Sequence, residues 1–202
     1  MKKTALFGCG ALALVALILV VWLGGTYNSL VKLHEAVAAQ WGQVENVYQR
    51  RADLVPNLVA TVQGAADFER DTFTAITEAR AKVGQISSEA AGKALEDPQA
   101  FERFQAAQAE LGSALSRLLV VVENYPQLNA TQAFRDLQVQ LEGTENRIAV
   151  ERRRFNETAQ AFNTQRNTFP TVIIAGFFGD RFREKSYFKA QEGAEVAPKV
   201  KF

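Results

Sequence analysis

Nucleophilic or metal chemistry in a protein needs imidazoles, thiolates or clustered carboxylates, and this chain holds one His and one Cys. A carboxylate-bridged bundle site takes Glu-x-x-His motifs from two helices plus further glutamates. Three residues before His34 stands Val31, so that motif is absent, and His34 reads as a partly buried helix residue. A hydrolase needs a Ser or Cys held against its imidazole. No such partner is identifiable here, and Cys9 lies in an uncharged apolar stretch. The expectation is therefore no catalytic residue, no metal ligand and no cofactor.

Two groups of polar residues interrupt otherwise apolar helical patterns. Arg51, Asp53 and Asn57 form one; Glu142, Glu145, Asn146 and Arg147 form the other, with Thr144 on the apolar seam itself. Charged groups partly buried in a bundle are paired and fix helix register, so a structural polar network is expected. The competing reading is a carboxylate-lined site between helices. Arg152, Arg153 and Arg154 add basic character. Successive helical residues point about 100° apart, so the triplet wraps around its helix and forms no single patch.

The elements that would position these residues begin with an anchor. Residues 5–25 carry no charge, and Leu12, Leu14, Val15, Leu17, Ile18 and Leu19 fill the stretch, with Trp22 near its far end. About 20 such residues span a hydrocarbon core of about 30 Å, and an indole favours the interface. A cleaved signal peptide would need small residues after the apolar core. Instead Trp22-Leu23-Gly24-Gly25-Thr26-Tyr27 follows. A lipoprotein signal would use Cys9, but most of the apolar run lies after it. An uncleaved single-pass anchor fits best. Lys2 and Lys3 precede it and only Lys32 follows soon after, which keeps the N-terminus cytoplasmic and exports the rest.

Beyond the anchor the apolar period is helical. Tyr27, Leu30, His34, Val37, Trp41, Val44 and Tyr48 step by threes and fours. Similar steps run through Val55, Leu58, Val62, Phe73, Ile76 and Val83, and through Phe101, Phe104, Gln108, Leu111, Leu115, Leu118, Val122 and Tyr125. A long fourth set is Phe134, Leu137, Leu141, Ile148, Phe155, Phe162 and Phe169. No useful period-two alternation occurs between Tyr27 and Phe169. The predicted fold is all-α: a transmembrane helix followed by an antiparallel four-helix bundle.

Local chemistry suggests the boundaries. Asp97-Pro98 is an N-cap with Pro in the first turn, and Glu123-Asn124-Tyr125-Pro126 stops a helix. Asn129 with Gln132 resembles a capping box, and residues 84–92 read as a loop. The open junction is Arg50-Arg51-Ala52-Asp53-Leu54-Val55-Pro56-Asn57. Asp53 could cap a new helix; alternatively one long first helix kinks at Pro56, giving three helices. A turn there is favoured because it yields four helices of comparable length. In that case the fourth helix ends near the bilayer; with the kinked helix it ends at the distal tip. After it come Val172, Ile173, Ile174, Phe177 and Phe178, too short a run to cross a membrane. They form either a cap over the bundle end or an interfacial or subunit-contact segment. The resulting division is 1–4 cytoplasmic, 5–25 anchor, 26–170 bundle and 171–202 apolar then extended tail.

Composition closes off other classes. With 23 Lys+Arg against 22 Asp+Glu the net charge is +1, so nucleic acid is not an expected partner. A disulfide framework is impossible with one Cys.

Several segments resemble the LemA family. They are Tyr27-Asn28-Ser29-Leu30-Val31, then Gln49-Arg50-Arg51-Ala52-Asp53-Leu54-Val55-Pro56-Asn57-Leu58-Val59, and Glu123-Asn124-Tyr125-Pro126-Gln127-Leu128. Leu141-Glu142-Gly143-Thr144-Glu145-Asn146-Arg147-Ile148, Arg152-Arg153-Arg154-Phe155-Asn156, Phe162-Asn163-Thr164, Phe169-Pro170 and Tyr187-Phe188 follow in order. The chain departs from the family pattern at residues 65–69, where an aromatic and a His-Glu pair are usual, and at Phe155 and Phe162, where Tyr is frequent. The resemblance implies a bacterial membrane protein with a short N-terminal anchor and a helical bundle, and implies no enzymatic activity. The expected role is an envelope scaffold or assembly component in the inner membrane, its bundle outside the cytoplasm. Its expected partners are the lipid bilayer and further copies of itself, as a homo-oligomer. An adaptor for a membrane protease or an envelope stress pathway, with a membrane-protein partner, is the alternative.

Overall fold

The computed structural model describes residues 2–63, 70–90 and 93–189. Every regular element among them is helical: α1 (Lys2–Gln63), α2 (Arg70–Ala90), α3 (Pro98–Val122), α4 (Pro126–Asn129), α5 (Gln132–Asn167) and α6 (Thr171–Phe177), then a 3₁₀ turn (Gly179–Phe182). Segment 65–69, where the chain departs from the family pattern, lies outside the described residues, as do residue 1, Ala91 and Gly92 of the expected loop, and 190–202.

α1 carries both anchor and bundle without a break. Its N-terminal part turns Leu12, Leu14, Val15, Leu17, Ile18, Leu19 and Trp22 outward, with Leu12 73% exposed. Such a face is at home only in lipid or against another apolar surface. This helix is long and apolar enough to cross a membrane, and only 6% of its most apolar stretch is buried within the protein. Beyond Tyr27 the character changes: Leu30, Val37, Trp41, Val44, Tyr48, Val55, Leu58 and Val62 are all buried on one stripe.

The break expected within residues 50–57 does not occur; those residues are helical and α1 continues to Gln63. A Pro inside a helix deprives the carbonyl four residues earlier of its donor. Here that carbonyl is Ala52 O, and Arg80 Nε of α2 donates to it at 3.3 Å. The guanidinium thus replaces the N–H that Pro56 lacks. Arg80→Met is accordingly expected to cost about 1 kcal/mol. In a Pro56→Ala background the loss is expected to vanish, because the new backbone N–H takes the carbonyl. Urea unfolding of the four proteins in this double-mutant cycle checks it.

The path is nonetheless a four-helix one. Arg51 meets Glu145, Gln40 meets Glu151 and His34 meets Phe162, so α5 descends antiparallel along α1. α2 and α3 form an antiparallel hairpin bridged by the Lys82–Glu110 ion pair. The long first helix of one expectation is therefore combined with the up-down-up-down course of the other. Asp97 caps α3 as expected, its carboxylate accepting from Gln99 N at 2.9 Å with Pro98 in the first turn. Two boundaries differ from expectation. The residues predicted as a loop from Gly84 continue α2 to Ala90. Asn129 belongs to the short α4, and the cap of α5 is Thr131, whose hydroxyl accepts from Phe134 N at 3.3 Å. Thr131 sits directly before Gln132, where a hydroxyl reaches the free N–H groups of the first turn.

The hairpin is shorter than the α1–α5 pair, and this divides the core. Away from the anchor, Val55, Leu58, Val62, Ile76, Leu111, Leu118 and Phe134 pack among all four helices. Nearer the anchor, Leu30, Val37, Phe155 and Phe162 pack instead with Ile174, Ala175, Phe182 and Phe188. The C-terminal segment there packs beside the end of the hairpin, from which Phe101 and Phe104 join the same cluster.

Candidate functional site

Two constructions place polar chemistry inside this apolar frame. The first surrounds Arg51, which is only 4% exposed. Its Nη2 donates to Gln108 O at 2.7 Å and to Gln108 Oε1 at 2.6 Å, while Nη1 pairs with Glu145 Oε1 at 3.0 Å. The guanidinium also lies 5.1 Å from the centre of the Tyr48 ring. On α3 it lies against Gly112, where a Cβ would stand 3.4 Å from Nη1. Nε is buried with no partner among the described residues. A cavity of about 480 Å³ opens beside the group, lined by Arg51, Gln108, Glu142, Glu145, Asn146 and Arg152 among others.

Of the seven residues expected to form one polar network, the structure joins Arg51 and Glu145 directly. Asp53, Asn57, Glu142, Asn146 and Arg147 are exposed. Asp53 accepts from Gln49, and Glu142 from Gln138, each within its own helix. Gln108 supplies two of Arg51's three bonds and was not among the expected residues. Its polar side chain on the apolar seam of α3 was the available signal. The arginine triplet splits as helical geometry requires: Arg152 donates to Lys189 O, Arg153 pairs with Glu157, and Arg154 with Glu151.

The second construction holds the extended residues 183–189 against α5. Asn163 donates from Nδ2 to Lys185 O and accepts at Oδ1 from Lys185 N, both at 2.9 Å. Asn156 does the same for Phe188 O and N, also at 2.9 Å. Each amide therefore satisfies both backbone groups of one residue. The spacing explains why two suffice. Seven helical residues rise about 10.5 Å and three extended ones about 10 Å, so the ladders match when the strand runs antiparallel to the helix. Asn163 also donates to the Tyr187 hydroxyl at 2.9 Å.

The two residues held by these rungs insert their side chains into the bundle. The Phe188 ring sits 4.8 Å from Phe101, 5.4 Å from Phe155 and 6.1 Å from Trp41, joining α1, α3 and α5 in one aromatic cluster. Lys185, 3% exposed, donates from Nζ to Leu95 O at 3.1 Å and lies over the Phe162 ring. Burial pushes its ammonium below the usual lysine range, partly offset by Glu96.

His34 is half-buried beside Phe162 and Phe182. Burial holds its pKa below 6.5, helped by Lys185 and Arg181 and opposed by Glu35 and Glu96. The unfolded chain then binds a proton more readily than the folded one, so this contribution to stability falls as pH drops below about 6.5. Compared between pH 7.5 and 5.5, the wild type is expected to lose more stability than His34→Gln. Equal losses would show that the imbalance is absent.

No three His, Cys, Asp or Glu side chains converge as a metal site among the described residues. What this arrangement does is bind helices and tail together. Residues 40–202 match the LemA family profile. The chain belongs to the LemA family. This LemA protein is also 29% identical over 199 residues to the magnetosome protein MamQ of Magnetospirillum gryphiswaldense, covering 92% of this chain and 72% of that one. It is 28% identical over 206 residues to the magnetosome proteins MamQ 1 and MamQ 2 of Paramagnetospirillum magneticum, covering 95% of this chain and 74% of each. Arg51, Asn156, Asn163 and Phe188 all fall within the segments on which the LemA resemblance rests. In this LemA protein those four residues tie α1, α3, α5 and the C-terminal segment to one another.

Proposed function

We propose that this protein is a non-enzymatic, single-pass membrane protein that serves as an envelope scaffold or assembly component through self-association. The observation that carries the reading is α1: a lipid-suited stretch continues, as one helix, into the stripe that builds the bundle core. Apart from Arg51 Nε, the buried polar groups described above bond to each other and to the backbone, which favours a structural role for them. Relatives are named for an organelle, the magnetosome, and not for a reaction.

Anchoring confines copies to a plane and raises their effective concentration, so weak lateral contacts suffice for assembly. Lys2 and Lys3 set the N-terminus in the cytoplasm and the bundle outside it. Native mass spectrometry of the full chain in gentle detergent, over a concentration series, tests the reading. Oligomers are expected; monomers alone at every concentration would overturn it. A reporter fused after Phe202 that is active in the cytoplasm would reverse the orientation. The charged cavity at Arg51 favours a second reading, as an adaptor that holds a polar segment of a membrane-protein partner. Crosslinking from that cavity to a different protein would select it.

A further inference from the structure

We infer that α6 is a second membrane contact, an interfacial helix whose outer face enters the same bilayer that α1 crosses. The inference rests on the anchor reading of α1 and adds a surface to it.

The sequence of α6, Thr171-Val172-Ile173-Ile174-Ala175-Gly176-Phe177, carries no charge. One face is used inside the protein: Thr171, Ile174 and Ala175 are buried. The other is equally apolar and unpartnered, with Ile173 63%, Phe177 89% and the preceding Phe169 77% exposed. A helix apolar on all sides belongs in a core or in lipid.

Its height decides between them. Phe178 and Phe182, directly after α6, place their rings 5.0 Å and 5.7 Å from that of Tyr27. Tyr27 lies two residues, about 3 Å of helix rise, past Gly25, where the apolar anchor segment gives way to Thr26, Tyr27, Asn28 and Ser29. The chain returns, after the whole bundle, to the level where α1 leaves the hydrocarbon. An apolar face at that level meets lipid as soon as α1 is inserted. Cations flank it, and the one exposed carboxylate directly after α6, Asp180, is paired with Arg183. Arg181 is exposed and donates to the Tyr27 hydroxyl at 2.9 Å, which puts a cation at headgroup depth beside the apolar face. Exposed Lys32 lies one and a half turns further along α1. Apolar side chains below and cations above are the pattern of a helix lying in the interface, its apolar face about 5–10 Å into the headgroup and acyl boundary. The occupant that continuity with α1 selects is the bilayer.

Single spin labels in the full chain test this. In a Cys9→Ser background, Leu17→Cys, Val139→Cys, Ile173→Cys and Phe177→Cys each replace an exposed side chain. The labelled proteins are reconstituted at low density into vesicles of phosphatidylethanolamine and phosphatidylglycerol. Collision with oxygen, which partitions into lipid, is compared with collision with a water-soluble nickel chelate. Labels at 173 and 177 are expected to favour oxygen, as the label at 17 does, while the label at 139 favours nickel. Preference for nickel at 173 and 177 with lipid exposure at 17 overturns the inference and leaves the anchor standing. A water-exposed label at 17 removes both. Shielding of 173 and 177 from both reagents, lost on further dilution in lipid, assigns the face to a second copy and also overturns it.

Discussion

Phe188→Ala is expected to cost about 3–5 kcal/mol, the range for truncating a buried phenylalanine in a packed core. The side chain is 6% exposed although it lies outside every helix, and it touches aromatic rings from three of them. Its loss leaves a cavity between Trp41, Phe101 and Phe155 that rigid helices cannot close by local relaxation. It also removes the wedge that holds residues 183–189 while the two asparagine rungs remain. The expected signature is thus twofold: lower stability in urea, and trypsin cleavage after Lys185, which is 3% exposed in the intact protein. Tyr187→Ala is the matched control. That ring is 39% exposed and gives up one hydrogen bond to Asn163, so about 1 kcal/mol or less is expected. Equal effects from the two substitutions would show that the tail is held by its backbone alone.

Arg51→Ala carries the second large effect, about 3 kcal/mol, and the reason is what it leaves behind. Gln108, 3% exposed, loses the donor to its side-chain oxygen, while its backbone carbonyl, inside α3, loses a second donor. An unsatisfied buried acceptor costs about 1–3 kcal/mol, more than the net gain from making the bond. Glu145→Gln probes the same ion pair from the other side. The Glu145 side chain is 44% exposed, so water screens the charge and the expected loss is about 1 kcal/mol or less. Replacing both polar partners, as Arg51→Met with Gln108→Leu, is expected to recover much of the stability, since apolar replacement of a buried polar pair is often tolerated. Chemical denaturation of the three variants distinguishes a desolvated network from a simple surface ion pair.

How much of this was legible beforehand follows from the range of the forces involved. The helical stripes could be read because they repeat every three or four residues, and nearly every residue on the α1 stripe is buried. The Asp97 cap could be read because its donor is two residues away. Pro56 could not, since the group that lets the helix continue is Arg80, 28 residues on from the Ala52 carbonyl it serves and across a helix interface. Lys185 was equally opaque. Nothing near it in sequence indicates that Leu95 O, 90 residues earlier, will receive its ammonium. The asparagine rungs did leave a trace. Phe155-Asn156 and Phe162-Asn163 repeat one dipeptide at a spacing of seven, which puts two amides on one helix face beside the buried rings. Read as a pair, they call for a strand to fill them. The tail lies far enough along the chain that only the folded arrangement names it.

The absence of a joint in α1 gives the molecule a mechanical property. From Gly25 to Gln63 the helix rises about 57 Å, and the bundle is packed along that length. Transmembrane helices tilt by about 20° on average, and they do so to match the thickness of the bilayer around them. With a hinge after the span, such a tilt would be absorbed. Without one, and with α1 inserted in a bilayer as proposed above, a tilt of about 20° carries the distal end of the bundle sideways by about 19 Å. The lever converts a change of a few ångströms in lipid thickness into a displacement at its tip comparable to the width of two helices.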